Sequence, residues 1–352
     1  REGYAFVMAD SYDQHGERHA LSPRNVLAAQ VERCRALGLD PVVATEMEFY
    51  LCRPDWEPVQ DHIQYSSLTD APHLEVVLQD MRTALLGAGI PIESSNAEYG
   101  PGQIEINVSA ADAMTTADST VLYKSIVKEI ALRHGLQATF MSKPWAEQSG
   151  SGMHVHTSLN GEGGNLFADS VDGPNALMSN WVAGQLEHAA ALSLLGSPLP
   201  YAHKRIRPYT FCPTHIHWGL DNRSVLCRCT VGAGAANRVE YRAAGSDANP
   251  YLMIAGLLAA GADGVERSLQ LPAESNGDLY DDPGNNAALP AAIDDAIAVF
   301  EGSPLAAALG EEFSTNYVLI AKHEAAALVD AGGDAASDDV GMWERARYME
   351  HI

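Results

Sequence analysis

Polar and apolar residues alternate along several short segments of the chain. In the segment GMHVHTSL, His154, His156 and Ser158 alternate with residues that suit a packed face. Successive side chains of a strand point to opposite faces of a sheet, so these three polar groups share one face. The same period of two predicts strands in PVVATEMEFYL, GQIEINVSA, THIHWGL, SVLCRCTV and NRVEYRAA.

Between these segments lie runs with helix-start and helix-stop signals. The first begins with Ser22 as N-cap and Pro23 at the first helical position, and it ends at Gly38. Asn249 and Pro250 open a very apolar run that we expect to be a buried helix. Further helices are predicted in HLEVVLQDMRTALLGAG, TTADSTVLYKSIVKEIALRHG, NALMSNWVAGQLEHAAALSLLG and the C-terminal tail.

Strands and helices alternate without a repeat or a linker that would divide the chain. We therefore predict one α/β (α+β) domain over residues 1–352. Several of the strands are expected to pair antiparallel. The prediction is a large, curved, mainly antiparallel sheet, shaped like a half-barrel and flanked by helices.

Four of the predicted strands carry ligand-type side chains on their polar faces. These are Glu46 and Glu48; Gln103, Glu105 and Asn107; His154, His156 and Ser158; and Arg238, Glu240 and Arg242. One such strand alone is explained by a face turned to water, but four together favour a shared cavity. Carboxylates crowded in a cavity repel one another, and divalent cations remove that penalty. Oxygen ligands with an occasional imidazole suit Mg²⁺ or Mn²⁺ better than zinc.

The arginines on these strands indicate the chemistry. Guanidinium groups bind phosphate and carboxylate in a forked geometry, and we expect that role rather than pairing with carboxylates already occupied by metal. Two or more divalent cations, several arginines and no Ser-His-Asp or Cys-His arrangement favour phosphoryl transfer from a nucleotide. The sequence contains no G-x-x-x-x-G-K-[ST] motif, so the phosphates are not held by a P-loop.

Composition excludes some partners. The formal net charge is −24, which disfavours nucleic acid and anionic membranes as main partners. No run of ~18 uncharged apolar residues is present, so no membrane span is predicted. Five cysteines and no secretory-type opening favour free thiols in a reducing, cytoplasmic location. Cys227 and Cys229, near His215 and His217, could suggest zinc, but the sequence offers no second cysteine pair.

Five motifs, in order along the chain, resemble those of one enzyme family. They are TEMEFYL, NAEYGPGQIEI, GSGMHVHTSL, DNRSVLCR and NRVEYRAAGSDANPYL. In these motifs the chain resembles the catalytic domain of the glutamine synthetase family, from about Ala9 through the C-terminal helices. That family uses ATP to phosphorylate the γ-carboxylate of glutamate, and an amine then displaces the phosphate.

The resemblance implies roles for individual residues. Glu46, His154 and Glu240 would hold one Mg²⁺ or Mn²⁺, and Glu48, Glu98 and Glu105 a second. His156 and Ser158 would lie along the ATP, with Glu93 a weaker candidate, and Arg223 and Arg228 would face its phosphates. Arg205 and Arg242 would hold the carboxylates of glutamate, assisted by Arg223, Ser149 and the backbone of Gly150. The resemblance also implies homo-oligomeric stacked rings and a small N-terminal β-grasp domain that these residues do not include.

Two positions depart from the family pattern. Where ammonia-using members carry a glutamate that helps to bind and deprotonate ammonium, this chain has Phe211. A phenyl ring cannot accept a proton, but it can pack against an alkyl or aryl amine, and Tyr209, Cys212 and Trp218 are near in sequence. We therefore expect γ-glutamylation of an organic amine. The second departure, Ser149 in place of asparagine, could reshape the glutamate pocket.

Three alternatives remain open at this point. The chain could be an ordinary glutamine synthetase that uses ammonium, in which case organic amines would give no further stimulation. It could be a kinase of the guanidino type, which would release a stable phosphorylated product. It could also be a non-catalytic protein that keeps the fold, although the complete set of six metal-ligand positions argues against this.

Overall fold

The computed structural model describes residues 5–67, 72–335 and 337–352. The described helices are α1 (Pro23–Ala36), α2 (Pro72–Gly87), α3 (Ala113–Arg133), α4 (Ala176–Glu187), α5 (Ala189–Gly196), α6 (Pro250–Glu266), α7 (Ile293–Phe300), α8 (Pro304–Leu309), α9 (Glu311–Asp330) and α10 (Met342–Tyr348). The strands are β1 (Asp40–Cys52), β2 (Ile92–Ala97), β3 (Gln103–Val108), β4 (Ala111–Asp112), β5 (Gln137–Thr139), β6 (Met153–Gly161), β7 (Gly164–Asn165), β8 (Trp218–Leu220), β9 (Cys227–Thr230) and β10 (Arg238–Tyr241). Short 3₁₀ helices cover Pro200–Arg205 and Gly234–Ala236.

The described strands form one sheet in the order β2-β3-β1-β6-β10-β9-β8, with β4 and β5 on β1 and β7 on β6. Its strand pairs are antiparallel except β8 with β9. The sheet is open and uncurled, since β2 and β8 do not pair with each other in the described part of the chain. The predicted fold class, a mainly antiparallel sheet flanked by helices, is confirmed. The strand order does not support the half-barrel curvature.

One face of the sheet is packed and the other carries the polar groups. On β1, Met47 and Phe49 are at most 1% exposed and belong to the main apolar core. Met153 and Val155 of β6 lie in the same core. Because side chains alternate along each strand, burying these residues turns Glu46, Glu48 and His154 to the opposite face.

Helix α6 is buried along most of its length, as its apolar sequence predicts. The Asn249 side chain caps its N-terminus by accepting from the backbone N–H groups of Tyr251 and Leu252. Helices α1 and α4 pack against it. Across the described residues, no helix combines the length and the hydrophobicity that crossing a membrane requires.

Four of the described strands, β2, β4, β5 and β7, were not predicted, and β4 and β7 have only two residues each. Strand β2 has the sequence IESSNA, whose serines and asparagine are poor strand formers, and it is half exposed at the sheet edge. Strand β5 has only three residues. Conversely, only Trp218–Leu220 of the predicted strand THIHWGL forms a strand of the sheet.

The five cysteines are buried free thiols. His217 accepts a hydrogen bond from the backbone N–H of Leu226 through Nδ1, at 3.2 Å. Within the described ranges, the groups of metal-ligating side chains contain neither Cys227 nor Cys229. The zinc alternative is therefore not supported.

Candidate active site

The first group of side chains that could hold a metal ion, which we call triad A, consists of Glu46, His154 and Glu240. Glu46 on β1 lies directly opposite His154 on β6, and Glu240 follows on the next strand, β10. Nδ1 of His154 lies 2.9 Å from Glu46 Oε1 and 3.4 Å from Glu240 Oε1. Three strands thus place one nitrogen and two carboxylate oxygens within reach of a single ion.

The two carboxyl groups of triad A are held in the ionised form. Burial alone would raise the pKa of Glu46, but His154 and His156 contact its two oxygens and hold that pKa well below its usual range. Burial likewise opposes ionisation of Glu240, and Arg242 with His154 outweighs it, lowering the pKa to about 2. Burial and the nearby Arg242 lower the pKa of His154, a shift toward the neutral imidazole form that binds metals.

The second group, triad B, consists of Glu48, Glu98 and Glu105, with one carboxylate oxygen of each within 4.8 Å of the others. Glu48 and Glu105 face each other across β1 and β3. Glu98 follows β2, and its backbone N–H donates to the carbonyl of Gln103 at 2.8 Å. The second oxygen of Glu48 accepts from the backbone N–H of Gly152 at 2.6 Å.

Crowding raises the pKa of every member of triad B. Burial and the charge of Glu98 raise the pKa of Glu48 to about 8. Burial and Glu46 raise that of Glu98 to about 7 and that of Glu105 to about 9. Repulsion prevents the three carboxyl groups from all ionising together, and a bound divalent cation would remove that repulsion. The donor sets of both triads therefore fit Mg²⁺ or Mn²⁺.

The arginines near triad A contact carboxylates in this structure. Arg228 donates to Glu240 at 2.9 Å and to Asp221 at 3.1 Å, and Arg242 donates to Glu240. In this structure the guanidinium groups of Arg228 and Arg242 act as counter-ions of Glu240, and their expected role toward phosphate and glutamate stays a prediction. Arg223 is exposed and lines the cavity above triad B.

Two cavities open above the triads. The first, of about 360 Å³, is lined by Glu93, His156 and Ser158, the three residues predicted to lie along ATP. The second, of about 940 Å³, is lined by Glu98, Glu105, Arg223 and Arg228 among others. The cavities share Glu46, Asn107, His156 and Arg238, so they meet over triad A.

Arg238 is a site residue that the sequence analysis left without a role. Its Nε lies 3.3 Å from Nδ1 of His156, and it lines both cavities. Alternation along the strand could have predicted this position, because Arg238 precedes Glu240 by two residues and so shares its face of β10.

The segment expected to bind glutamate comes just before Gly152, whose backbone N–H contacts Glu48 of triad B. The carbonyl of Ser149 accepts from the Tyr50 hydroxyl at 2.8 Å, and Gly150 is buried. A Cβ at Gly150 would lie 2.6 Å from Cγ of Arg205, so only glycine lets that side chain pass. Arg205 is 2% exposed and donates to the Ala243 carbonyl at 2.9 Å and to Cys212 Sγ at 3.3 Å.

Phe211 lies among aromatic side chains other than the expected ones. Its ring centroid is 5.2 Å from that of Tyr99. The ring of Tyr209 instead lies tilted against that of Tyr280, with centroids 5.8 Å apart. Trp218 is 6% exposed and donates to the carbonyl of Pro272, and the Cys212 thiol is buried against Arg205. Phe211 therefore does not group with Tyr209, Cys212 and Trp218, because Tyr209 and Cys212 have other partners and Trp218 lies on β8.

Comparison with known proteins places this site in a family. The family model "Glutamine synthetase, catalytic domain" matches residues 20–348. The chain is 36% identical to a gamma-glutamylethanolamide synthetase of Streptomyces coelicolor, over all of this chain and 76% of that protein. It is also 36% identical to a glutamine synthetase of Thermus thermophilus, over 98% of this chain and 79% of that protein. The solved structure "GmaS/ADP complex-Conformation 1" superposes with a TM-score of 0.83 and 28% identity, covering 94% of this chain and 78% of that one. The chain belongs to the glutamine synthetase family.

Proposed function

We propose that the protein is an ATP-dependent ligase that joins L-glutamate to an organic amine through a γ-glutamyl phosphate. A γ-carboxylate oxygen attacks the terminal phosphorus of ATP and ADP leaves. The amine nitrogen then attacks the acyl carbon, phosphate leaves, and the nitrogen loses a proton. Membership of the family and the two triads beneath arginine-lined cavities support this reaction.

The side chains divide into three sets. Triads A and B would hold two divalent cations, which supply positive charge against the phosphates when bound. Glu93, His156 and Ser158 would line the bound ATP, while Arg223 and Arg228 would face the phosphoryl group in transfer. Ser149, Gly150, Arg205, Arg223 and Arg242 would position glutamate.

Phe211 is the observation that favours an organic amine over ammonium. Sequence identity does not separate the two functions, because a gamma-glutamylethanolamide synthetase and a glutamine synthetase are equally similar to this chain. The phenyl ring offers no oxygen to bind or deprotonate ammonium, and it lies against another aromatic ring. Glutamine synthesis from ammonium is the second candidate, and the equal identity to the Thermus protein supports it.

We further propose that residues 1–352 act as the catalytic part of a cytoplasmic homo-oligomer. The family match over residues 20–348 supports the catalytic assignment. The other partners would be small molecules only, namely glutamate, ATP and the amine, as the net charge of −24 favours.

An amine panel tests the proposed function. Phosphate release from ATP and glutamate would be measured with ammonium, ethanolamine, butylamine, benzylamine and 1,4-diaminobutane, and each product identified by mass. We expect an amide with at least one organic amine at a higher kcat/KM than with ammonium. Glutamine as the preferred product would support the second candidate, and a stable phosphorylated product would contradict both.

A further inference from the structure

An exposed row of three aromatic rings lies beside triad B. The ring centroids of Tyr65 and Tyr99 are 6.0 Å apart, and those of Tyr99 and Phe211 are 5.2 Å apart. These separations are those of interacting aromatic pairs. The three side chains nevertheless remain 51%, 44% and 46% exposed. Contiguous exposed apolar surface of this kind marks binding sites.

The row adjoins the reacting centre through two of its members. Tyr99 follows Glu98 of triad B directly, and its backbone N–H is a hydrogen-bond donor to the Glu98 carboxylate. Tyr65 lines the same cavity as Glu98 and Glu105. Leu74 and Leu78 of α2 add apolar wall to that cavity.

Phe211 is held in its position at an energetic cost. Its φ is +63°, in the left-handed region that bulky residues rarely adopt. The hydroxyl of Thr210 fixes the turn by donating to the carbonyls of Arg205, at 2.6 Å, and Arg207, at 2.8 Å. Glycine would fit such a turn without strain. Strained backbone of this kind is typical of functional sites, which favours a functional role for the phenyl ring of Phe211.

We propose that Tyr65, Tyr99 and Phe211 form the surface that binds the organic group of the amine, and that this group is an apolar alkyl chain or aryl ring. This inference rests on the proposed ligase function and names its substrate class. The three rings provide flat apolar area and no carboxylate. A diamine would need a counter-ion for its distal ammonium, and Glu75, which lines the same cavity, is already paired with Arg82.

Tyr99 variants provide the test. Tyr99→Ala removes the central ring but keeps the backbone N–H that faces Glu98. It should raise KM for butylamine and benzylamine about tenfold, the effect of losing one aromatic contact surface. The KM values for glutamate and ATP should change by less than about twofold. Tyr99→Phe keeps the ring and should reverse most of the rise in KM that Tyr99→Ala causes. Tyr12→Ala, which removes an exposed tyrosine outside the row, should leave the KM for both amines unchanged.

The outcomes separate this inference from the function on which it rests. If no amine supports amide formation by the wild type, the proposed function fails. If butylamine and benzylamine are substrates but Tyr99→Ala leaves their KM unchanged, the aromatic surface is wrong and the function stands. A preference for 1,4-diaminobutane or ammonium would also overturn the inference. Should Tyr99→Ala not fold, Phe211→Leu carries the same test, with the same tenfold expectation.

Discussion

Cation binding to triad B should release protons, because its three carboxyl groups retain them at neutral pH. The pKa values of Glu48, Glu98 and Glu105 are raised to about 8, 7 and 9. Because the three carboxyl groups interact, they titrate as a set, and these values leave about two protons on the set at pH 7. A divalent cation requires ionised carboxylates, so saturating triad B at pH 7 should release about two protons per site.

Isothermal titration calorimetry with Mn²⁺ measures this number directly. The titration is repeated in two buffers that differ in ionisation enthalpy. The slope of the observed binding enthalpy against the ionisation enthalpy of the buffer gives the number of protons released. Glu105→Gln removes the carboxyl group with the highest of the three pKa values and should lower the count by about one. At pH 9.5, where most of these protons have already left, the wild type should release fewer than about one.

The same groups set the sign of the pH dependence. Their pKa values in the folded protein lie above the unfolded value of about 4.3, so the metal-free protein loses stability as pH rises from about 4.3 towards 9. The rise in Tm caused by saturating Mn²⁺ should therefore be larger at pH 8.5 than at pH 6. An observed enthalpy that does not depend on the buffer, or a Tm rise that shrinks as pH increases, would refute the reasoning.

Three further results are expected. Glu240→Gln should abolish amide formation and cost roughly 3 kcal/mol of stability, since it leaves the buried Arg242 without a counter-ion; full activity or an unchanged denaturation midpoint would contradict the assignment. Burial lowers the pKa of His203 to about 4, so stability should fall by about 2 kcal/mol as pH drops from 6.5 to 5; urea midpoints should show a smaller fall in His203→Gln. Lys204 and Glu344 form a buried ion pair of 2.8 Å, so Lys204→Met alone should lower stability by roughly 3–5 kcal/mol. Adding Glu344→Leu should recover most of that loss, and additive losses in calorimetry would show that the pair is not coupled.

The two-residue period predicted the face of each central strand. Glu46 and Glu48 on β1, and His154 and His156 on β6, needed only alternation and a buried opposite face. Which strands are neighbours did not follow from that period. Glu98 lies after β2 in a segment without strand-forming residues, and only the family resemblance pointed to it.

Contacts between distant loops could not be predicted from local patterns. Tyr65, Tyr99 and Phe211 are separated by long stretches of chain and meet only once the sheet and its loops are folded. The pairing of Arg228 with Glu240 has a different origin. It follows from the register of β9 and β10, in which the two residues are directly opposite, and from the charge that a buried carboxylate needs to balance.

The central claim is that triads A and B hold two divalent cations in one site. Crystals grown with Mn²⁺ and measured at the manganese absorption edge locate the ions directly by anomalous scattering. We expect two strong peaks, one contacted by Glu46, His154 and Glu240 and the other by Glu48, Glu98 and Glu105. Manganese peaks found elsewhere, with both triads free of anomalous density at saturating Mn²⁺, would contradict it.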